Sequence, residues 1–487
     1  MSQSHQHKTV SSAGNPLLST GIPGFDAILG GGFPVHHLYL IQGLAGSGKT
    51  TLACQIGFNH ARQGRKVLIL TLIAESHAKL LQHLANFSFF DMSLLDRQVK
   101  FFGGYAALAQ GGLRELLNFI SACLNEHQPE IMIVDGFRSV RDYGPTDLAL
   151  SEFMHSLNAL AAAMGCTTFL LSPIEGNIAE SENTLVDGLV ELSQYEDGVR
   201  TVREIRVYKL RGGNHFLGKH AFEVGGNGIV VYPRLEAIAT RTNIASPASD
   251  RLVSFGIPSW DRLTGGGIMH GSITSLVGSP GVGKTIMGLH FIEQGLRDNE
   301  TCLILGFFES PPRLLQKGRK VGMDLSAAMQ DGRLEMMWHL PLEVLMDRLA
   351  TDLLDNIDRR KVTRLLIDGI EGFHDIAVHT QRIKPFLIAL VNELRARNVT
   401  TFITQELPYF KESFARADST ESVLYENVML LRTVEIDGAN RRLISVMKLR
   451  ESGYDPAHHV MTISDKGIVV EQPVSEMKAA TARTNGL

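Results

Sequence analysis

Continuous apolar runs separated by helical stretches dominate both halves of this chain. In the first half, LYLIQG (38–43), VLILTLI (67–73), IMIVD (131–135) and TTFLLS (167–172) carry little polar interruption. Runs of this length read as strands, and their lack of alternation predicts a parallel sheet covered on both faces. Between them, 50–63 and LRELLNFISACLNEH (113–127) space their apolar residues as helices do. The uncharged stretch 156–174 contains Asn158, Gly165, Thr167, Thr168, Ser172 and Pro173. It reads as a helix (157–164), a Gly turn and a buried strand (166–171), because a membrane span needs about 20 predominantly apolar residues. The second half repeats the order with SLVG (275–278), TCLILGFF (301–308), LLID (365–368) and TTFITQ (400–405). Late in each half, VREIRVYKL (202–210) and RRLISVMKL (441–449) alternate instead, as added antiparallel strands do.

The parallel between the halves extends to individual residues. STGIPGFDAILGGG (19–32) matches SFGIPSWDRLTGGG (254–267), and GLAGSGKT (43–50) matches GSPGVGKT (278–285); 254 − 19 and 278 − 43 both give 235. Asp135 and Asp368 end equivalent apolar strands, and YKLR (208–211) answers MKLR (447–450). Such ordered self-similarity means two copies of one domain. The expected organisation is a first domain at 17–235, a small polar linker at 236–250 and a second domain at 251–471. The polar ends, 1–16 and 472–487, are expected to be flexible. The fold class is α/β: two tandem domains, each a mostly parallel sheet flanked by helices, with antiparallel strands late in the domain.

Composition narrows the functional classes. Of 487 residues, 44% are hydrophobic and 20% charged, which excludes a chain disordered throughout. A net charge of −4 provides no global basic field for nucleic acid. The polar N-terminus lacks the apolar core of a secretory signal. Cys54, Cys123, Cys166 and Cys302 are far apart and form no metal-ligand spacing. They read as reduced, buried thiols, with a cytoplasmic location the expectation. The unusual feature is 47 glycines, many of them in the two repeated Gly-rich segments.

Those segments carry the chemistry. GxxxxGK[ST] occurs twice, each time after an apolar strand and before a helix, the setting of a phosphate-binding loop. Glycines let backbone N–H groups turn inward, and the following helix points its positive end at the phosphates. The first cradle comprises Gly43, Gly46, Ser47, Gly48, Lys49, Thr50 and Thr51; the second comprises Gly278, Gly281, Val282, Gly283, Lys284 and Thr285. Lys49 and Lys284 would reach the β- and γ-phosphates of ATP. Thr50 with Asp135, and Thr285 with Asp368, would hold Mg²⁺, the carboxylates standing at the strand ends where such a ligand is needed.

The G-I-P-x-x-D…GGG lead-in, the phosphate loop, a Glu after the next strand and the late K-L-R together resemble KaiC-like ATPases of the RecA-like superfamily. The tandem arrangement is similar to that of the circadian-clock members over almost the whole chain. KLRGGNHFLGKHAFEV (209–224) and MKLRESGYDPAHHVMTISDKGI (447–468) are the most specific stretches outside the loops. The resemblance implies a homohexamer of two stacked rings with ATP between neighbouring subunits. Lys209, Arg211, Lys448 and Arg450 would then reach the γ-phosphate held by the next subunit. Such a cation supplied in trans would stabilise transition-state charge. Glu451 replaces the Gly usual after the second K-L-R. The family carries two adjacent glutamates after the second strand, where this chain has Ala74-Glu75 and Phe308-Glu309. Glu75 and Glu309 are the candidates for orienting or deprotonating the attacking water, and slow hydrolysis is expected. The clock proteins' adjacent Ser-Thr phosphoacceptor pair aligns with Ser422-Val423. Ser422 is thus a candidate for autokinase chemistry, against a plain reading as a solvated loop serine. The resemblance also implies a KaiB-like partner, while the short tail after Val470 argues against docking of a KaiA-type partner.

Three functional classes remain open on the sequence. One is a slow ATPase whose ring switches between signalling states. Another is a RecA-like DNA-handling ATPase; the acidic loop 174–184, with Glu175, Glu180 and Glu182 and no Lys or Arg, argues against it, although Arg138 and Arg141 keep it open. The last is a nucleotide-stabilised scaffold that hardly hydrolyses.

Overall fold

A computed structural model describes residues 16–72, 77–144, 146–174, 185–240, 250–407, 424–436, 438–450 and 453–473. The chain divides into two compact units, Met1–Arg234 and Leu235–Leu487.

In the first unit, β1 (Leu17–Leu18) and β2 (Phe33–Pro34) form a short antiparallel pair. The apolar runs become β3 (Leu38–Gly43), β4 (Val67–Thr71), β5 (Val99–Gly103), β6 (Ile131–Asp135) and β7 (Thr167–Ser172). β8 (Gly188–Asp197), β9 (Arg200–Leu210), β10 (Lys219–Gly225) and β11 (Gly228–Tyr232) complete a nine-stranded sheet of order β11-β10-β9-β8-β3-β7-β6-β4-β5. β3 to β8 run parallel to their neighbours, and β9 to β11 add antiparallel. All of β3, β4 and β7 is buried, because helices cover both faces.

The second unit repeats the plan. β12 (Leu252–Val253) pairs with β13 (Ile268–Met269). β14 (Ile273–Gly278), β15 (Cys302–Gly306), β16 (Leu334–Trp338), β17 (Arg364–Asp368) and β18 (Thr400–Glu406) form the parallel part. β19 (Asn427–Ile436), β20 (Ala439–Lys448), β21 (His459–Ser464) and β22 (Gly467–Pro473) follow, and the order is β16-β15-β17-β18-β14-β19-β20-β21-β22. The helix Leu235–Ala239 belongs here. Its Leu235 N–H donates to Asp347 Oδ1 at 3.2 Å, and Glu236 pairs with Arg382 at 2.8 Å. The stretch 236–250, expected as a linker, therefore begins as a packed turn of the second unit.

The lead-in motif is a structural clamp. Asp26 accepts from Thr20 N–H at 2.6 Å and Ser19 Oγ at 2.6 Å; Asp261 does the same with Phe255 N–H at 2.8 Å and Ser254 Oγ at 2.7 Å. A Cβ on Gly32 would lie 2.3 Å from Leu18 O, and one on Gly267 would lie 2.2 Å from Val253 O. Only glycine lets that chain pass against the strand before it.

One buried strand position differs in charge between the units. Arg364 is fully buried in β17, where the first unit has Ile131. It pairs with Asp298 at 3.0 Å and with Glu300, and donates to Ser254 O at 2.9 Å and Phe291 O at 3.0 Å. Arg364→Ala leaves these acceptors without their cation, and is expected to destabilise the second unit by about 3–5 kcal/mol. Chemical denaturation followed on that unit measures it; a change below about 1 kcal/mol refutes the assignment.

Candidate active site

Each phosphate loop leaves the C-terminal end of a central strand and enters a helix. The chain leaves β3 at Gly43, turns at Gly46 (φ 78) and Gly48 (φ 101), and starts the helix Lys49–Ala61. The second loop does the same through Gly281 (φ 72) and Gly283 (φ 114) into the helix Lys284–Arg297. Both loops thus sit at a helix N-terminus, where orphan N–H groups and the helix dipole favour an anion. Ser47 and Val282 lie under their loops as buried floor residues, and Thr51 is buried in its helix.

The two lysines are held inside the loops. Lys49 Nζ donates to Gly43 O at 2.7 Å and Leu44 O at 2.9 Å; Lys284 Nζ donates to Gly278 O and Ser279 O, both at 2.9 Å. Burial lowers the pKa of both. Asp135 opposes the shift in the first unit, and Glu406, Glu371 and Asp368 oppose it in the second.

The proposed metal residues meet in both copies. Thr50 Oγ1 lies 2.8 Å from Asp135 Oδ2, and Thr285 Oγ1 lies 3.0 Å from Asp368 Oδ2. A hydroxyl and a carboxylate beside a phosphate loop are the hard oxygen donors that Mg²⁺ takes, with phosphates and water completing its shell. Burial raises the Asp368 pKa, against hydrogen bonds from Thr404 and Thr285.

The second unit's site opens into a cavity of about 560 Å³. Gly281, Gly283, Lys284, Thr285 and Asp368 line it, as the sequence led one to expect, together with Glu309. Its wall also holds Lys317, Glu371, Glu406 and Arg442, which sequence reading missed. Glu309 Oε1 is paired with Lys317 Nζ. Phe308, beside it, is 55% exposed. Glu371 Oε1 accepts the Glu406 N–H at 2.6 Å. A usable signal did exist: Glu309, Glu371 and Glu406 all stand at or just past the C-terminal ends of adjacent parallel strands, the edge where such sheets bind ligands.

Lys209, Arg211, Lys448 and Arg450 stand elsewhere. Lys209 is level with Leu189, and Leu189 with Leu40; the Arg211 N–H reaches Asp187 O, and the Asp187 N–H reaches Leu38 O. K-L-R therefore lies at the start of β3, whereas the phosphate loop leaves its end. Five residues at roughly 3.3 Å each separate Leu38 from Gly43, about 16 Å along the strand. Lys448 pairs with Val428, which is level with Ser275 of β14, so the second copy has the same arrangement. Lys209 Nζ holds Val186 O at 2.6 Å, Lys448 Nζ holds Tyr425 O at 2.6 Å, and Arg211 pairs with Asp187 at 3.4 Å. Burial, with the neighbouring arginine, lowers the pKa of each lysine. Glu75 and Ser422 lie outside the described residues.

Among the described residues no helix is long and apolar enough to cross a membrane. A family model described as "ATPase: KaiC" matches residues 18–236 and again 253–475. The chain is 27% identical over 473 residues to the circadian clock oscillator protein KaiC of Parathermosynechococcus lividus, covering 94% of this chain and 86% of the relative. It is 26% identical to KaiC of Parasynechococcus marenigrum (95% and 91% covered) and 26% identical to KaiC of Synechococcus elongatus (92% and 88% covered).

Proposed function

The chain belongs to the KaiC family of ATPases, and on that premise we propose that it is a slow, ring-forming, clock-type signalling ATPase. It binds ATP in both units, and subunits share each nucleotide across their interfaces in a homohexamer. A KaiB-like protein is the partner class that follows from this reading.

The observation that carries the proposal is the placement of K-L-R. In both units its cations lie at the opposite end of the sheet from their own phosphate loop. Cations so placed serve a nucleotide held by another copy. In each site the loop and Lys49 or Lys284 bind the phosphates. Thr50 with Asp135, and Thr285 with Asp368, hold Mg²⁺, which when bound neutralises charge on the phosphates. The neighbour's Lys and Arg stabilise charge developing on the transferred phosphoryl group. Hydrolysis then depends on assembly, which lets the nucleotide state of a ring act as a signal.

Light scattering with and without ATP, run alongside phosphate release, tests this. The expected result is an ATP-dependent rise to a multimeric mass with low turnover. A chain that binds ATP as a monomer overturns the reading, and so does turnover at the rate of a motor ATPase.

A further inference from the structure

We infer that Glu371 is the carboxylate that orients and deprotonates the attacking water in the second unit's site; the inference rests on the ATPase reading above. Glu371 lines the same cavity as Lys284, Thr285 and Asp368. One oxygen, Oε1, is fixed by the Glu406 N–H at 2.6 Å, while Oε2 is buried with no hydrogen-bond partner among the described residues. The carboxylate is thus aimed by one oxygen and available through the other. Glu309, the carboxylate that sequence position favours, also has an unpartnered Oε2, but its charge is neutralised through Oε1 by Lys317. Burial raises the Glu371 pKa, which strengthens it as a base.

The repeat sharpens the assignment. The residue equivalent to Glu371 in the first unit is Arg138, which pairs with Asp142 at 3.4 Å. The backbone is anchored alike in both copies: Phe137 N–H reaches Leu171 O at 3.0 Å, and Ile370 N–H reaches Thr404 O at 3.1 Å. The same place in the fold therefore carries a cation in one site and a carboxylate in the other. In the reaction, water oxygen bonds to the γ-phosphorus and its proton passes to Glu371. The bond from that phosphorus to the bridging oxygen breaks, and ADP leaves with the electron pair. Glu371 then returns its proton to the released phosphate or to solvent.

The test uses the full chain carrying Lys49→Ala, so that only the second site turns over. Glu371→Gln keeps the acceptor for the Glu406 N–H and removes only the basic charge. It is expected to lower kcat on the order of 10²-fold. KM should stay within about twofold, as for a group acting only in the transition state. Protein recovered after incubation should contain ATP in place of ADP, and Glu371→Asp should restore part of the rate. If Glu371→Gln releases phosphate at the parent's rate or accumulates ADP as the parent does, Glu371 is only a helix-start residue. A parent that binds ATP but releases no phosphate sinks the hydrolytic reading, and this inference with it.

Discussion

Lys284→Ala is expected to abolish nucleotide turnover in the second unit and leave the first unit's turnover in place. The amine lies inside its loop, bound to Gly278 O and Ser279 O and 3.6 Å from Glu406 Oε1. In this position it draws the loop carbonyls together and balances a wall bearing Glu309, Glu371, Glu406 and Asp368. Without it, incoming phosphates meet carboxylates with Lys317 and Arg442 as the other cations of the wall. Loss of one clamp cation in such a site costs on the order of 10²–10³-fold in rate. Here the cost is compounded by lost phosphate affinity. The helix itself should survive, since alanine is the strongest helix former and position 284 opens the helix. Nucleotide bound per chain should fall to about half, because each chain carries two loops. Lys49→Ala should be the mirror image. If either variant keeps full nucleotide content and full phosphate release, the loop concerned is a Gly-rich turn without a nucleotide role.

The contrast between the loops and the cavity wall shows what the sequence made legible. The loops were legible because their pattern is local: glycines, lysine and threonine sit within one turn, and two copies stand in the register of the repeat. The parallel sheets were legible for the same reason, since each strand is a continuous apolar run. Boundaries were less so. VLILTLI reads as a strand to residue 73, whereas β4 covers Val67–Thr71. The helix expected at 113–127 is present, but a helical stretch from Tyr105 precedes it across the non-helical Gly112 (φ 62); the Gly pair there masks that earlier stretch.

Side chains brought together by strand register were only partly legible: Glu309 was read from its place after the second strand, whereas Glu371 and Glu406 were missed. Glu309, Glu371 and Glu406 come from different segments. They converge because Gly306 pairs with Asp368, and Asp368 with Thr404, so that three strand ends share one edge. Arg364 is a further case. It stands just before the apolar run LLID, yet it is fully buried among acceptors that no local pattern predicts.

Mixing two inactive variants is expected to restore activity if K-L-R acts between subunits. One variant carries Lys209→Ala with Arg211→Ala, and the other carries Lys49→Ala; both carry Lys284→Ala, so that only first-unit sites report. Each alone should lose hydrolysis by roughly 10³-fold or more, the scale for an arginine supplied to a phosphoryl transition state. The losses should not reflect unfolding. The Arg211 side chain is 57% exposed, and Asp187, its partner, still receives the Leu38 N–H at 3.1 Å. In a mixed ring, an intact loop from the first variant can face intact cations from the second. Random exchange of equal amounts makes about a quarter of the interfaces complete, since each requires one particular variant on each side. Phosphate release should therefore climb toward about a quarter of the rate of the chain carrying Lys284→Ala alone. The recovery should appear only after subunits have exchanged, and light scattering should show the exchanged mixture at the assembled mass. If the mixture assembles, exchanges subunits and binds ATP at the first variant's intact loops while staying inactive, the cations do not act across the interface. Their distance from the loop of their own unit then excludes a direct role in hydrolysis.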